Sequence, residues 1–342
     1  MTLVSVVVPV YCNAGSLPIL HERLVSIAQQ HADKNFEFIF VDDGSFDDSY
    51  NILAAIAKND NKVQIIKLSR NFGSNIALAA GLHYAQGNCA AMIAADLQDP
   101  PELISPMLDL WDNGTHVVMA ARRQRADPLL TRLPAAIFNR AFRQFVFRDF
   151  PTNGYDFVLI DRKVIDVVVS CAEKNSYIFG LIMWAGFSRE TLLYDRVERE
   201  HGSSMWTFTK KIKYFIDAFS AFSYIPLRIA SATGMIFAAI GLIYTFIVLL
   251  ARFLGGVPVE GWASLMIVLL IASGTQLIIL GLLGEYIWRG LEQSRKRPLF
   301  VVEQAIKNDN HITCGISDSL GQHMGVGFSE TYYPKIIEEN EV

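Results

Sequence analysis

The sequence has no pair of cysteines at redox or metal-ligand spacing: Cys12, Cys89, Cys171 and Cys314 lie scattered through 342 residues. This excludes a C-x-x-C centre or a zinc ribbon and reads as free thiols in a reducing compartment. A basic excess is missing too. The formal net charge is −4, so no nucleic-acid partner is expected, and any grip on anionic phosphate must come from local arginines. No signal peptide is visible. The first apolar run, 3–10, is short and ends in Pro9-Val10-Tyr11, not in a small-residue cleavage site. The domain that follows is therefore expected to stay in the cytoplasm. Charge is absent altogether from two long stretches, 229–251 and 262–284.

What is present divides unevenly. Hydrophobic residues make up 51% of the chain, which fits a soluble domain joined to a few membrane spans. Residues 1–125 alternate β-branched runs with helical spacing. Strands are expected at 4–8, 36–41, 63–68, 90–95 and 117–120, and helices at 17–29, 49–57, 74–85 and 101–111. Ser16 is placed to cap the first helix. This βαβα order predicts an α/β domain with a mainly parallel, doubly wound, Rossmann-like sheet. Such sheets bind ligands beyond the carboxyl ends of their strands, where Asp42, Asp43 and Asp96 fall. Residues 126–205 are less regular, broken by Pro128, Pro134 and Pro151.

Each uncharged stretch is long enough to span a bilayer, which takes about 20 residues. Arg228 and Arg252 bracket the first, and Glu285 ends the second. Arg289, Arg295, Lys296 and Arg297 follow, which places that end in the cytoplasm. Two spans return the chain to its starting side, so the N-terminal domain is expected there as well. Residues 206–228 mix phenylalanines with Lys210, Lys211 and Lys213 and read as an interfacial amphipathic helix. The expected organisation is a catalytic domain at 1–205, the interfacial helix at 206–228, two spans with a short external loop at 229–290, and a cytoplasmic tail at 291–342. The tail beyond 303 reads as a surface extension.

Oxygen donors and arginines gather at the expected strand ends. Asp96-Leu97-Gln98-Asp99 follows one strand, and Arg122, Arg123 and Arg125 follow the next. Carboxylate and amide oxygens suit a hard divalent cation, and guanidinium groups match phosphate oxygens. That pairing fits the departure of a diphosphate.

Four motifs in fixed order, V-V-V-P-V-Y, V-D-D-G-S, L-S-R-N-F-G and A-D-L-Q-D-P-P-E, resemble the inverting GT-A glycosyltransferases of family two. Together with G-L-L-G-E-Y-I and the two spans, they resemble its polyprenyl-phosphate branch, over about residues 3–300. The resemblance implies transfer of a sugar from a nucleotide-sugar to a polyprenyl phosphate at the cytoplasmic face of a bacterial inner membrane. It implies that Pro9 and Tyr11 line a nucleoside pocket, where Asp42 and Asp43 bind base or ribose. Asp96 and Gln98 would hold Mg²⁺ or Mn²⁺ on the diphosphate, so that Asp96 also belongs to the nucleotide site. Arg122 and Arg123 would lie near the diphosphate or acceptor phosphate, Asp156 matches a catalytic base, and Arg199 and Ser204 match the segment gripping the acceptor phosphate. UDP-glucose and undecaprenyl phosphate are the substrates it favours, with GDP-mannose or a UDP-amino sugar as alternative donors. The branch includes tetramers, so a homo-oligomer is a further expectation.

The chain departs from the family pattern at three places. Ala94 stands where an aspartate is usual and reads as an inactivating replacement. Cys12-Asn13 replaces a common Asn-Glu, and Met205 stands where lysine is frequent. These departures support a competing reading, a membrane-bound scaffold or binding subunit without turnover. A processive polysaccharide synthase is disfavoured, because the chain lacks a Q-x-x-R-W motif and has only two candidate spans.

Overall fold

The computed structural model describes residues 1–123, 140, 143–144, 147, 149–151, 154–171, 177–195, 225–254, 261–295 and 297–307. The chain divides into two compact units, Met1–Lys213 with Pro298–Val342, and Tyr214–Arg297.

The first unit is built on an eight-stranded sheet. Its strands are β1 (Thr2–Val10), β2 (Lys34–Asp42), β3 (Val63–Leu68), β4 (Cys89–Met92), β5 (Val117–Arg122), β6 (Tyr155–Asp161), β7 (Arg189–Tyr194) and β8 (Val302–Lys307). Their order is β7-β5-β6-β4-β1-β2-β3-β8. Strands β1 to β4 are mutually parallel, as are β5 and β7, while β6 runs antiparallel between β4 and β5. This is a GT-A-like α/β arrangement. The β-branched run of β1 is buried on both faces: Val4, Val6, Val7, Val8 and Val10 are all fully buried, as expected of a central parallel strand.

Helices α1 (Leu17–Gln30), α2 (Ser49–Asn59), α3 (Ser74–Tyr84) and α4 (Ile104–Asp112) follow the first strands, with a 3₁₀ turn, Pro101–Leu103, leading into α4. Two further helices, α5 (Arg162–Ser170) and α6 (Ile178–Trp184), follow β6. Helix α1 buries Leu17, Leu20, Leu24 and Ile27, the i, i+3, i+4 stripe read from its sequence. Ser16 takes the N-cap position without a side-chain cap bond; its hydroxyl instead donates to the Ala95 carbonyl at 2.6 Å.

Three features differ from the sequence reading. β4 ends at Met92, not at residue 95, because residues beyond it turn through Leu97, whose φ is +58°. The irregular region 126–205 contains β6 and β7. The tail beyond 303 is not all extension: its first residues belong to β8, which pairs antiparallel with β3, and the Ser69 amide donates to the Val301 carbonyl at 3.0 Å. Residues 308–342 lie outside the described residues.

The second unit holds two long helices, α7 (Ile225–Leu254) and α8 (Trp262–Ser294), which pack against each other. Their apolar side chains are largely exposed, including Met235, Leu242, Phe246, Ile278 and Ile287. Among the described residues one stretch, Ile271–Ser294, is long and apolar enough to cross a membrane, and Ala230–Tyr244 in α7 is apolar but shorter. The expected interfacial helix falls at 206–224, outside the described residues, and residues 225–228 open α7.

Candidate active site

Because β6 is antiparallel to its neighbours, its first residues meet the carboxyl ends of β4 and β5 at one sheet edge. The loops after β1, β2, β3 and β4 leave from that same edge. Three hydrogen bonds stitch the loop after β1 to the turn after β2. Cys12 N–H donates to Ser45 Oγ (3.0 Å), Asn13 N–H to Ser49 Oγ (2.9 Å) and Ala14 N–H to Asp47 Oδ2 (3.3 Å). The left-handed φ of Cys12, +56°, lets the chain turn there. The Ser16–Ala95 bond ties this assembly to the Asp96 loop.

The two adjacent aspartates have different surroundings. Asp43 is buried, and its oxygens accept the backbone N–H groups of Phe72 (2.7 Å) and Gly73 (2.8 Å). It therefore fixes the loop carrying Ser69-Arg70-Asn71. Burial pushes its carboxyl up to about 6, against the opposing effect of those two N–H bonds. Asp42 is fully buried. Its Oδ1 accepts Ser45 N–H at 3.3 Å, while Oδ2 has no hydrogen-bond partner. Burial raises this carboxyl too, with Ser45 pulling the other way. An unsatisfied buried carboxylate oxygen is costly and calls for a partner. Pro9 and Tyr11 lie beside it on β1 and its loop, both half-buried.

Gly44 makes this packing possible. Its φ is +70°, and a Cβ there would lie 2.7 Å from the Arg70 carbonyl carbon. Only glycine fits both the backbone angle and the close approach.

After β4, Ala94, Asp96 and Gln98 are partly exposed and alternate with buried Ala95, Leu97 and Asp99. Asp96 Oδ1 accepts Gln98 N–H at 3.3 Å. No group of three or more His, Cys, Asp or Glu side chains that would hold a metal occurs among the described residues. The available set is one carboxylate and one amide oxygen. That fits a hard cation whose remaining ligands are substrate phosphate oxygens and water.

Across the edge, Arg122 is buried at the end of β5 and donates to Asp156 Oδ2 at 2.5 Å. Asp156 is half-exposed and sits where the β5–β6 register shifts between Ala120 and Ala121. Such a bulge re-aims a side chain out of the ladder. The neighbouring Tyr155 is fully buried, with its hydroxyl on the Phe179 carbonyl at 2.8 Å, so the strand under Asp156 is held firmly. Tyr194, on β7, donates to Asp99 and hydrogen-bonds Arg122. Burial, and then the Asp99 carboxylate, push its hydroxyl up, so it remains a donor. Tyr194 and Asp99 thus seat the guanidinium that meets Asp156; sequence reading placed Asp99 only among the oxygen donors past the strand and did not single out Tyr194. Their signal is a pairing across 95 residues that no local pattern carries. Arg123 instead points to exposed Asp195 at 3.2 Å. Arg199 and Ser204 lie outside the described residues.

The Glycosyl transferase family 2 domain matches residues 5–169. The chain is 39% identical to "Uncharacterized glycosyltransferase YkcC" of Bacillus subtilis, over 90% of this chain and 95% of that one. The chain belongs to glycosyl transferase family 2. This family-two glycosyltransferase is also 32% identical to "Bactoprenol glucosyl transferase" of Shigella phage SfV, over 88% of this chain and 98% of the relative. It is 33% identical to "Undecaprenyl-phosphate 4-deoxy-4-formamido-L-arabinose transferase" of Pseudomonas syringae, over 92% and 94% respectively. One sheet edge of this family member gathers the buried Asp42 carboxylate, the Asp96–Gln98 loop and the Arg122–Asp156 pair.

Proposed function

We propose that the chain transfers a sugar, with inversion, from a nucleotide-sugar to a polyprenyl phosphate at the cytoplasmic face of the bacterial inner membrane. The observation that carries this reading is the reach of the similarity. It covers 88% and 92% of the chain in relatives named for bactoprenol and undecaprenyl-phosphate transfer, more than the catalytic sheet alone, so it extends into the long apolar helices. On this reading α7 and α8 both span the membrane, 206–224 lies at the headgroups, and the protein is multi-pass, with tetramers as its assembled form.

The donor is UDP-glucose and the acceptor undecaprenyl phosphate. Asp42 supports a uridine donor: with Oδ1 taken by Ser45, one buried oxygen remains, which suits the single ring N–H of uracil better than the two adjacent donors of guanine. Asp96 and Gln98 would hold Mg²⁺ or Mn²⁺, which neutralises charge on the departing diphosphate. The acceptor phosphate oxygen attacks the anomeric carbon, the bond to the nucleoside diphosphate breaks, and an α-linked donor gives a β-linked product. Arg122 lends positive charge where phosphates meet, and Asp156 orients that guanidinium. Arg123, Arg199 and Ser204 are assigned to the acceptor phosphate. Rate enhancement comes from positioning and charge neutralisation.

A second reading, nucleotide-sugar binding without turnover, is favoured by Ala94. One experiment tests both. The wild-type protein and Ala94→Asp are incubated with undecaprenyl phosphate and a panel of UDP- and GDP-sugars, and the lipid is weighed by mass spectrometry. The expected product is lipid phosphate heavier by one hexose, formed faster by Ala94→Asp. Lipid of unchanged mass with every donor and both proteins would favour the second reading.

A further inference from the structure

The turn from Asp42 to Ser49 is polar except at one position, Phe46. This residue is 80% exposed. Isolated exposed apolar residues are common and usually mean nothing, but three observations set this one apart. The side chains on either side of it are tied to the loop after β1, because Ser45 Oγ and Asp47 Oδ2 each accept an N–H from that loop. Its ring meets Tyr11 edge to face, with centroids 6.1 Å apart and planes at 82°. It also belongs to the turn that begins at Asp42, the residue with the unpartnered buried oxygen. Two rings at right angles form a corner, and a flat heteroaromatic ring stacks on one wall while its edge meets the other.

We propose that Phe46 is a donor-binding residue that stacks on the nucleobase, forming with Tyr11 an aromatic corner at the Asp42 carboxylate. The proposal deepens the donor-site reading and rests on it. A ring that already rests against Tyr11 loses less freedom than an unsupported one when a base covers it, so stacking there contributes to affinity. Since Phe46 touches base and not diphosphate, its effect falls on the donor KM and leaves kcat nearly unchanged.

The test is calorimetric titration of UDP, GDP and inorganic pyrophosphate, with Mg²⁺, into the full chain in detergent micelles, for wild type, Phe46→Ala and Phe46→Trp. Removal of one base–aromatic stack is expected to weaken UDP binding by roughly 5- to 150-fold in Phe46→Ala. Phe46→Trp should bind UDP within about 3-fold of wild type, because it keeps the stacking face. Pyrophosphate, which has no base, should bind all three proteins alike. Wild type that binds UDP no better than Phe46→Ala does overturns this proposal alone. So does an equal loss of UDP and pyrophosphate binding in Phe46→Ala, which would mean that the loop has moved. Wild type that binds neither UDP nor GDP overturns the donor-site reading and the proposal together.

Discussion

A phosphate monoester has a second pKa of about 6 and is largely dianionic near neutral pH, so the acceptor needs little help to become a nucleophile. A general base normally contributes about 10²- to 10⁴-fold. Asp156 is already paired with Arg122 at 2.5 Å, the geometry of an orienting group. Asp156→Asn should therefore lower kcat by only about 10-fold and leave the pH–rate profile in place. A loss of about 10³-fold with a displaced acidic limb would make Asp156 the base. Asp43 gives a second prediction at this scale. Its carboxyl is raised from 3.8 to about 6 by burial, so the folded protein binds that proton more tightly than the unfolded chain does. The stability it contributes is complete below the unfolded value and is lost as pH rises through the folded one, by roughly 3 kcal/mol at most. Melting temperatures of the detergent-solubilised chain should fall between pH 4 and 7 relative to Asp43→Asn, which cannot titrate. Parallel curves for the two proteins would contradict that assignment.

At the scale of elements, the site depends on loops held by contacts between neighbouring strand ends. Gly44→Ala forces a Cβ to within 2.7 Å of the Arg70 backbone at a φ of +70°. It should cost about 1–3 kcal/mol and raise the donor KM together with it; a variant matching wild type in both melting temperature and KM would show that the loops adjust freely. β1 to β5 and their helices were legible because each carries its own period of β-branched or helical spacing. β6 and β7 were not, since their residues are short, mixed runs that become strands only through pairing with β4 and β5. β8 alternates polar and apolar residues, but it follows the apolar helices, and its partner β3 lies more than two hundred residues earlier, as the Lys67–Glu303 ion pair shows. The acidic residues at strand ends could be read from the βα pattern. The pairing of Arg122 with Asp156 could not, because a bulge in β6 aims the carboxylate, and register is a tertiary property.

For the whole molecule, the reading requires α7 and α8 to cross a bilayer and return the catalytic sheet and the chain beyond α8 to the same side. Gly256→Cys, in the segment between the helices, should react with a membrane-impermeant maleimide in intact spheroplasts, whereas Ser294→Cys should react only after lysis. Labelling of both in intact spheroplasts would refute two-span topology. The central claim is chemical: one sheet edge brings a nucleotide-sugar and a lipid phosphate together for a single displacement. Phosphorus and carbon NMR of lipid recovered after reaction with UDP-[¹³C]glucose, undecaprenyl phosphate and Mg²⁺ tests it most directly. The account predicts a phosphodiester carrying a β-glucosyl group. An unmodified phosphate monoester, or an α-glucosyl product, would contradict it.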